Sequence, residues 1–166
     1  GRLVNIKALD NLLYGITKLQ LKERIVLHII GEGEEYNNLE KIIIDNNLFN
    51  TVKLLGFVDD IEAHLKAADI FILPSHMEGL SIALLEAMSY GLCCIVNDFG
   101  VPFSSSVFTM KSNNPEEIEF SIRYFVENPT KISEYKILAR KTIEEKYSVD
   151  VFSMNYYQIY QLLKGK

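Results

Sequence analysis

The stretch IFILPSHMEGLSIALLEAMSYGLCCIVN, Ile70 to Asn97, decides how this chain folds. It opens on a short apolar run, Ile70 to Leu73, which Pro74 stops because proline cannot donate to a strand ladder. A loop follows, and SIALLEAMSYG then reads as a helix that starts near Ser81 and is closed by Gly91. CCIVN is a second short apolar run. A strand, a helix and a strand in that order form the crossover unit that joins parallel strands.

The alternation continues in both directions. Upstream, Leu9, Leu12, Leu13 and Ile16 stand at helical spacing, and IVLHII, short and rich in β-branched residues, predicts a buried strand. The loop GEGEEY leads into a helix around Leu39, Ile42 and Ile43. TVKLLGF predicts another strand, and DDIEAHLKAAD a short helix with Asp at its start. Downstream, SVFTM predicts a fifth strand. Pro115 behind Asn114 starts a helix whose inner face is Ile118, Ile122 and Phe125. Two more helices are expected around Ile132 to Glu145 and Val149 to Leu163. The fold class is therefore α/β: a Rossmann-like, doubly wound parallel sheet with helices on both faces, forming one domain over residues 1–166.

Composition narrows the function classes. Of 166 residues, 48% are hydrophobic and 23% charged, which suits a soluble domain with a sizeable core. A net charge of −5 gives a nucleic-acid partner no electrostatic support. No apolar run approaches the roughly 18–20 residues that cross a bilayer, and there is no signal-peptide pattern. GRLVN lacks an initiator Met and opens mid-pattern, so a fragment is expected. Cys93 and Cys94 are adjacent on one strand, point to opposite faces and read as reduced core residues of a cytosolic protein.

In a doubly wound sheet, ligands bind at the carboxyl ends of the strands. The loops to inspect are GEGEEY, GFVDD, PSHMEGLS and NDFGVPFS. Glu78 sits in the third, above the sheet, and Gly79 permits close backbone approach. The N–H groups of Leu80, Ser81 and Ile82 form a helix N-terminus, an anion site. Glu86 lies one turn inside that helix, with Ile82, Leu85 and Met88 expected to face the sheet. A plainer reading is available, since acids are favoured near a helix N-terminus by the macrodipole. A glycosidase dyad fits poorly, because the second acid stands on a helix behind the first. A dinucleotide fingerprint fails too, since Tyr36 stands where the last glycine of Gly-x-Gly-x-x-Gly belongs. His76 reads as an exposed loop residue, and His28 and His64 as core or surface residues.

Four blocks carry a resemblance: GRLVNIKALDNLL, IIGEGEEYNNLEKII, VKLLGFVDDIEAHLKAADIFILPS and EGLSIALLEAMSYG. In order and spacing they resemble the retaining family 4 glycosyltransferases. The likeness is to their carboxy-terminal, nucleotide-sugar-binding domain, one half of the GT-B fold, and it covers nearly the whole chain. It implies that Glu78 contacts sugar hydroxyls and that Glu86 holds the nucleotide ribose. It implies that Arg2 and Lys7 hold the phosphates and neutralise the departing diphosphate, with no metal and no other cofactor. Gly31 and Gly33 would let backbone approach the diphosphate or base, and Phe57 and Val58 would contact the base.

The same resemblance implies a UDP-glucose-like donor and a lipid or polysaccharide acceptor held by an amino-terminal domain outside this chain. Through that domain the enzyme would touch the inner face of the cytoplasmic membrane. The stripe Phe152, Tyr156, Ile159 and Leu163 on the last helix would pack partly against the missing half, and self-association follows if it stays open. The alternatives are a non-catalytic nucleotide or sugar-phosphate module, or a GT-B nucleotide-sugar epimerase. Several positions depart from the family pattern. Ala8 and Ser81 replace glycines, Leu92-Cys93-Cys94 replaces Pro-Val-Val, and the loop after Gly100 is short and lacks its acid. The strand expected before GRL is absent.

Overall fold

The computed structural model describes residues 1–100 and 104–164. After a 3-10 turn at Asn5–Lys7, the elements run α1 (Leu9–Lys18), β1 (Leu27–Ile30), α2 (Tyr36–Asp45), β2 (Val52–Gly56), α3 (Ile61–Ala67) and β3 (Ile70–Leu73). They continue α4 (Ile82–Ser89), β4 (Cys93–Asn97), β5 (Phe108–Met110), α5 (Pro115–Glu127), α6 (Pro129–Lys146) and α7 (Val149–Lys164). Three helix starts follow from short polar side chains that satisfy an N–H of the first turn. Asp60 accepts from Ala63 N, Ser81 from Leu84 N and Asn114 from Glu117 N. Such caps are each worth about 1 kcal/mol.

All strand pairs are parallel. β1 pairs with β2, and β3–β4–β5 form a second hydrogen-bonded group with β4 in the middle. The single sheet expected from the sequence is therefore divided between β1 and β3. β4, paired on both edges, is buried at all five positions. β1 was expected to be a buried strand, yet of its residues only Ile29 is buried. The reason is geometric: one edge of β1 faces a cavity instead of a neighbouring strand.

The core lies on both faces of the strands. Leu12, Leu13 and Ile16 of α1, Leu39 of α2 and Phe125 of α5 pack on one side with Cys93 and Ile95. Leu84 and Met88 of α4 and Ala139 of α6 pack on the other with Cys94 and Val96. The alternation along β4 thus puts the two cysteines in different clusters, both as free thiols. Burial pushes the Cys93 thiol up to about 12, and raises that of Cys94 as well. α7 buries no residue, and its Phe152 and Leu163 are 61% and 64% exposed. Among the described residues no helix is long and apolar enough to cross a membrane.

Candidate functional site

The carboxyl ends of β1 and β3 open on a cavity of about 820 Å³, whose mouth includes Gly1, Arg2, Lys7 and Glu86. Lys7 ends the 3-10 turn, and Ala8 behind it takes a left-handed conformation at φ 49 to start α1. That conformation costs a residue with a Cβ about 1–2 kcal/mol. The turn aims Lys7 Nζ at Glu78 Oε1, 2.5 Å away. The same carboxylate oxygen accepts from Ser75 Oγ at 2.9 Å. Both charged side chains are largely sheltered, 25% and 15% exposed, so the pair is more than a solvated surface contact.

The loop that carries Glu78 is braced by residues that sequence reading did not single out. Asn97, at the end of β4, donates its side-chain amide to Ser75 O at 3.0 Å. Asn113 donates to Pro74 O at 2.9 Å, and its Nδ2 also lies 2.9 Å from His76 Nδ1. A carbonyl only accepts, so the Asn113 atom facing Pro74 is its nitrogen. His76 Nδ1 must then accept as well, which leaves the ring proton on Nε2. The backbone N–H of His76 donates to Ile6 O at 2.9 Å, tying this loop to the turn that holds Lys7. The available signal was an asparagine closing the otherwise apolar run CCIVN.

α4 supplies the other wall. Ser81 caps it, buried, and Glu86 stands exposed one turn inside, lining the cavity. Ile82 does not face the sheet as expected: it is 72% exposed. At about 100° per residue, Ile82 points away from the face formed by Leu84, Ala87 and Met88, with Leu85 half-buried beside it. Ile82 therefore joins the exposed residues Gly79 and Leu80 on the open side, where a Cβ at Gly79 would meet nothing within 4 Å.

Gly31 and Gly33 admit a close backbone contact within the chain itself. A Cβ at Gly31 would lie 1.7 Å from Gly1 O, and one at Gly33 2.2 Å from Leu3 O. The chain's own start fills that space: Leu3 N donates to Glu32 O at 2.8 Å, and Glu35 N to Leu3 O at 3.1 Å. These bonds hold Arg2 over the cavity, flanked by anchored neighbours. Phe57 is 71% exposed and Val58 half-buried, and neither lines the large cavity. Gly56 beside them lines a smaller one of about 400 Å³ with Glu32, Gly33 and Tyr36. The loop after Gly100 falls at residues 101–103, outside the described residues.

Residues 1–147 match the family described as glycosyl transferases group 1. The chain belongs to that family. An uncharacterized glycosyltransferase of Methanocaldococcus jannaschii is 31% identical over 173 residues, covering 98% of this chain and 44% of the relative. The UDP-Gal:alpha-D-GlcNAc-diphosphoundecaprenol alpha-1,3-galactosyltransferase of Escherichia coli is 47% identical over 74 residues, 44% of this chain and 19% of that protein. The crystal structure of Anabaena HepE in complex with UDP superposes with a TM-score of 0.84 at 21% identity, covering 100% of this chain and 47% of that one. At that identity the likeness is one of fold, and it is the Rossmann-like GT-B fold expected from the sequence. The chain spans less than half the length of the curated relatives named here.

In this glycosyltransferase domain the mouth of the cavity offers three kinds of contact. Arg2 and Lys7 offer positive charge, and the first turn of α4 offers N–H groups without an intrahelical partner. Glu86 is an acceptor for hydroxyl groups, and Glu78, which does not itself line the cavity, is a second acceptor held against Lys7. Among the described residues, no group of three or more His, Cys, Asp or Glu is arranged to hold a metal ion.

Proposed function

We propose that this domain is the donor-binding, carboxy-terminal half of a retaining, metal-independent glycosyltransferase, and that its donor is a UDP-sugar such as UDP-glucose. The observation that carries the reading is the meeting of Arg2, Lys7 and Glu86 around one cavity at the carboxyl ends of β1 and β3, with Glu78 paired to Lys7. The E. coli relative acts on UDP-Gal by its name, and HepE was crystallised with UDP, which supports a uridine nucleotide. In this reading Glu86 accepts from the two ribose hydroxyls, charge-assisted bonds worth roughly 1.5–3 kcal/mol each. Arg2, Lys7 and the α4 N-terminus face the diphosphate. Ser81, Gly79, Leu80 and Ile82 line its approach, and Phe57 and Val58 lie on the base side.

Transfer breaks the bond between the anomeric carbon and the β-phosphate oxygen, and the electron pair leaves with UDP. Positive charge fixed near that oxygen stabilises the departing diphosphate as charge develops. Lys7 is the residue best placed, and donor binding draws it from Glu78 to phosphate. Glu78 is then free to accept from sugar hydroxyls. The new bond goes to the oxygen of an acceptor hydroxyl on a lipid or a surface glycan, whose proton passes to the departing diphosphate; an amino-terminal domain presents that hydroxyl and also excludes water. The enzyme would work in the cytoplasm, peripheral at the inner face of the membrane.

The test is calorimetry on this chain and a donor panel on the full-length enzyme. The chain is expected to bind UDP and to transfer nothing, with EDTA leaving binding unchanged. A strict need for magnesium or manganese in donor binding would sink the cationic reading. An inverted anomeric product, read by NMR, would sink the retaining one.

A further inference from the structure

Pro74, Ser75 and His76 follow one another between β3 and Glu78, and each is held from a different part of the fold. Pro74 O accepts from Asn113 Nδ2 at 2.9 Å, and Ser75 O from Asn97 Nδ2 at 3.0 Å. The backbone N–H of His76 donates to Ile6 O at 2.9 Å. Asn113 Nδ2 also lies 2.9 Å from His76 Nδ1, which ties two of these holds together. Of the groups in this set, the imidazole is the one that can gain a proton between about pH 5 and 8. We propose that His76 and Asn113 are positioning residues for Glu78, and that they hold its loop only while His76 is neutral. The consequence for the donor rests on the reading of Glu78 as the sugar contact.

Hydrogen-bond polarity carries the proposal. Pro74 O can only accept, so Asn113 makes both contacts through its NH2 group, one hydrogen to each partner. Neutral His76 accepts at Nδ1 and keeps its proton on Nε2. A second proton has to enter at Nδ1, and two donors then oppose each other across 2.9 Å. Turning the Asn113 amide over would offer Oδ1 to the ring, but would set that oxygen against Pro74 O. Pro74 is buried, so a carbonyl stripped of its donor there is costly. Either response removes a bond from the brace.

The neighbouring charges do not resolve this conflict. On the segments that touch His76 they are Lys7 beside Ile6, Glu78 on the same loop, and Lys111, Glu116 and Glu117 around Asn113. All three acids are engaged. Glu78 Oε1 meets Lys7 Nζ and Ser75 Oγ, Glu116 pairs with Lys18, and Glu117 Oε1 accepts from Lys111 N. Among the described residues, Asn113 is the hydrogen-bond partner of the ring.

The pair acts on the site through a short path. His76 stands two residues before Glu78, and the turn that accepts from His76 N also aims Lys7 at Glu78. Glu86 stands on α4, capped by Ser81, outside this brace. Acid should therefore weaken recognition of the sugar and spare that of the nucleoside.

The experiment measures UDP-glucose and uridine binding to the chain by calorimetry at about pH 7.5 and about pH 5.5. Unchanged His76 should lose roughly 3–10-fold in UDP-glucose affinity at the lower pH, with uridine unaffected. His76→Ala and Asn113→Ala should bind UDP-glucose weakly at both. His76→Asn places an amide oxygen where Nδ1 was and does not titrate, so it should rescue binding and change by less than about twofold between the two. Nitrogen-15 spectra of the labelled ring should show the Nε2–H form at the higher pH. A His76→Asn variant that titrates as the unaltered chain does would overturn the proposal, and so would the Nδ1–H form. Loss of uridine binding along with UDP-glucose would reduce the pair to a general structural role and overturn it as well. If Glu78→Ala leaves UDP-glucose binding intact, the donor reading fails instead. The Asn113 side-chain amide signals then judge the pair alone: signals that do not shift with the His76 ring on acidification would overturn it.

Discussion

Lys7 and Glu78 stand 71 residues apart in sequence and meet at 2.5 Å between Nζ and Oε1, with Ser75 Oγ on the same carboxylate oxygen. The cation assigned to phosphate is thus held by the acid assigned to sugar. Glu78→Gln releases Lys7 without changing shape. UDP is expected to bind the variant roughly 2–10-fold more tightly, while the intact UDP-sugar loses affinity relative to UDP. Titration calorimetry with both ligands decides it. Equal losses for the two would refute the division of labour.

The two ends of the donor should respond separately. Glu86→Ala is expected to weaken UDP and uridine alike, by roughly 10–100-fold, because the ribose is common to both. Arg2→Ala and Lys7→Ala should weaken UDP and leave uridine unchanged. A uridine effect in the lysine variant would place Lys7 elsewhere.

Asn97 acts at a distance from any ligand. Its amide satisfies the carbonyl of Ser75, a residue with no solvent exposure. Asn97→Ala strands that carbonyl and should cost roughly 1–3 kcal/mol of stability, read by denaturant unfolding. Because the loop carrying Glu78 loses a brace, UDP-sugar affinity should fall more than UDP affinity. A stable variant with full donor affinity would remove Asn97 from the site's framework.

The cysteines offer a pH test. Burial holds Cys93 up to about 12, against an ordinary value near 9.0, and raises Cys94 too. A thiol whose folded pKa is raised penalises the folded state only when the unfolded chain ionises. Stability should therefore be flat below about pH 8 and fall as pH climbs from about 9 toward 12. Cys93→Ala should lessen that slope, and Ellman's reagent should find neither thiol at pH 8 until the chain unfolds. Rapid native labelling would contradict the packing.

α7 makes the reverse prediction. Phe152 and Tyr156 lie against each other, tilted by 40° with centroids 4.5 Å apart, and both are exposed. Changing both to serine should alter Tm by no more than a degree or two, since surface substitutions stay within about 0.5 kcal/mol. Light scattering should show less self-association, and an unchanged oligomeric state would clear this face.

Local order was legible in the sequence wherever it rests on near neighbours. Pro74 ends β3, Ser81 and Asn114 cap their helices, and the period of two along CCIVN sends Cys93 and Cys94 into opposite cores. The parallel α/β class followed from the order of elements, and the motif blocks pointed to Glu78, Glu86, Arg2 and Lys7. Tertiary structure alone decided what depends on atoms brought together from distant positions. It turned Ile82 outward, because one helical step sets which side of α4 meets the sheet. It gave Gly31 and Gly33 to the backbone of Gly1 and Leu3, a contact no spacing rule encodes. It joined Asn97 and Asn113 to the loop of Glu78, and Lys7 to Glu78 itself. It left β1 half covered, although its apolar composition demands burial: composition states that a strand needs neighbours, and only the assembled sheet shows which edge lacks one.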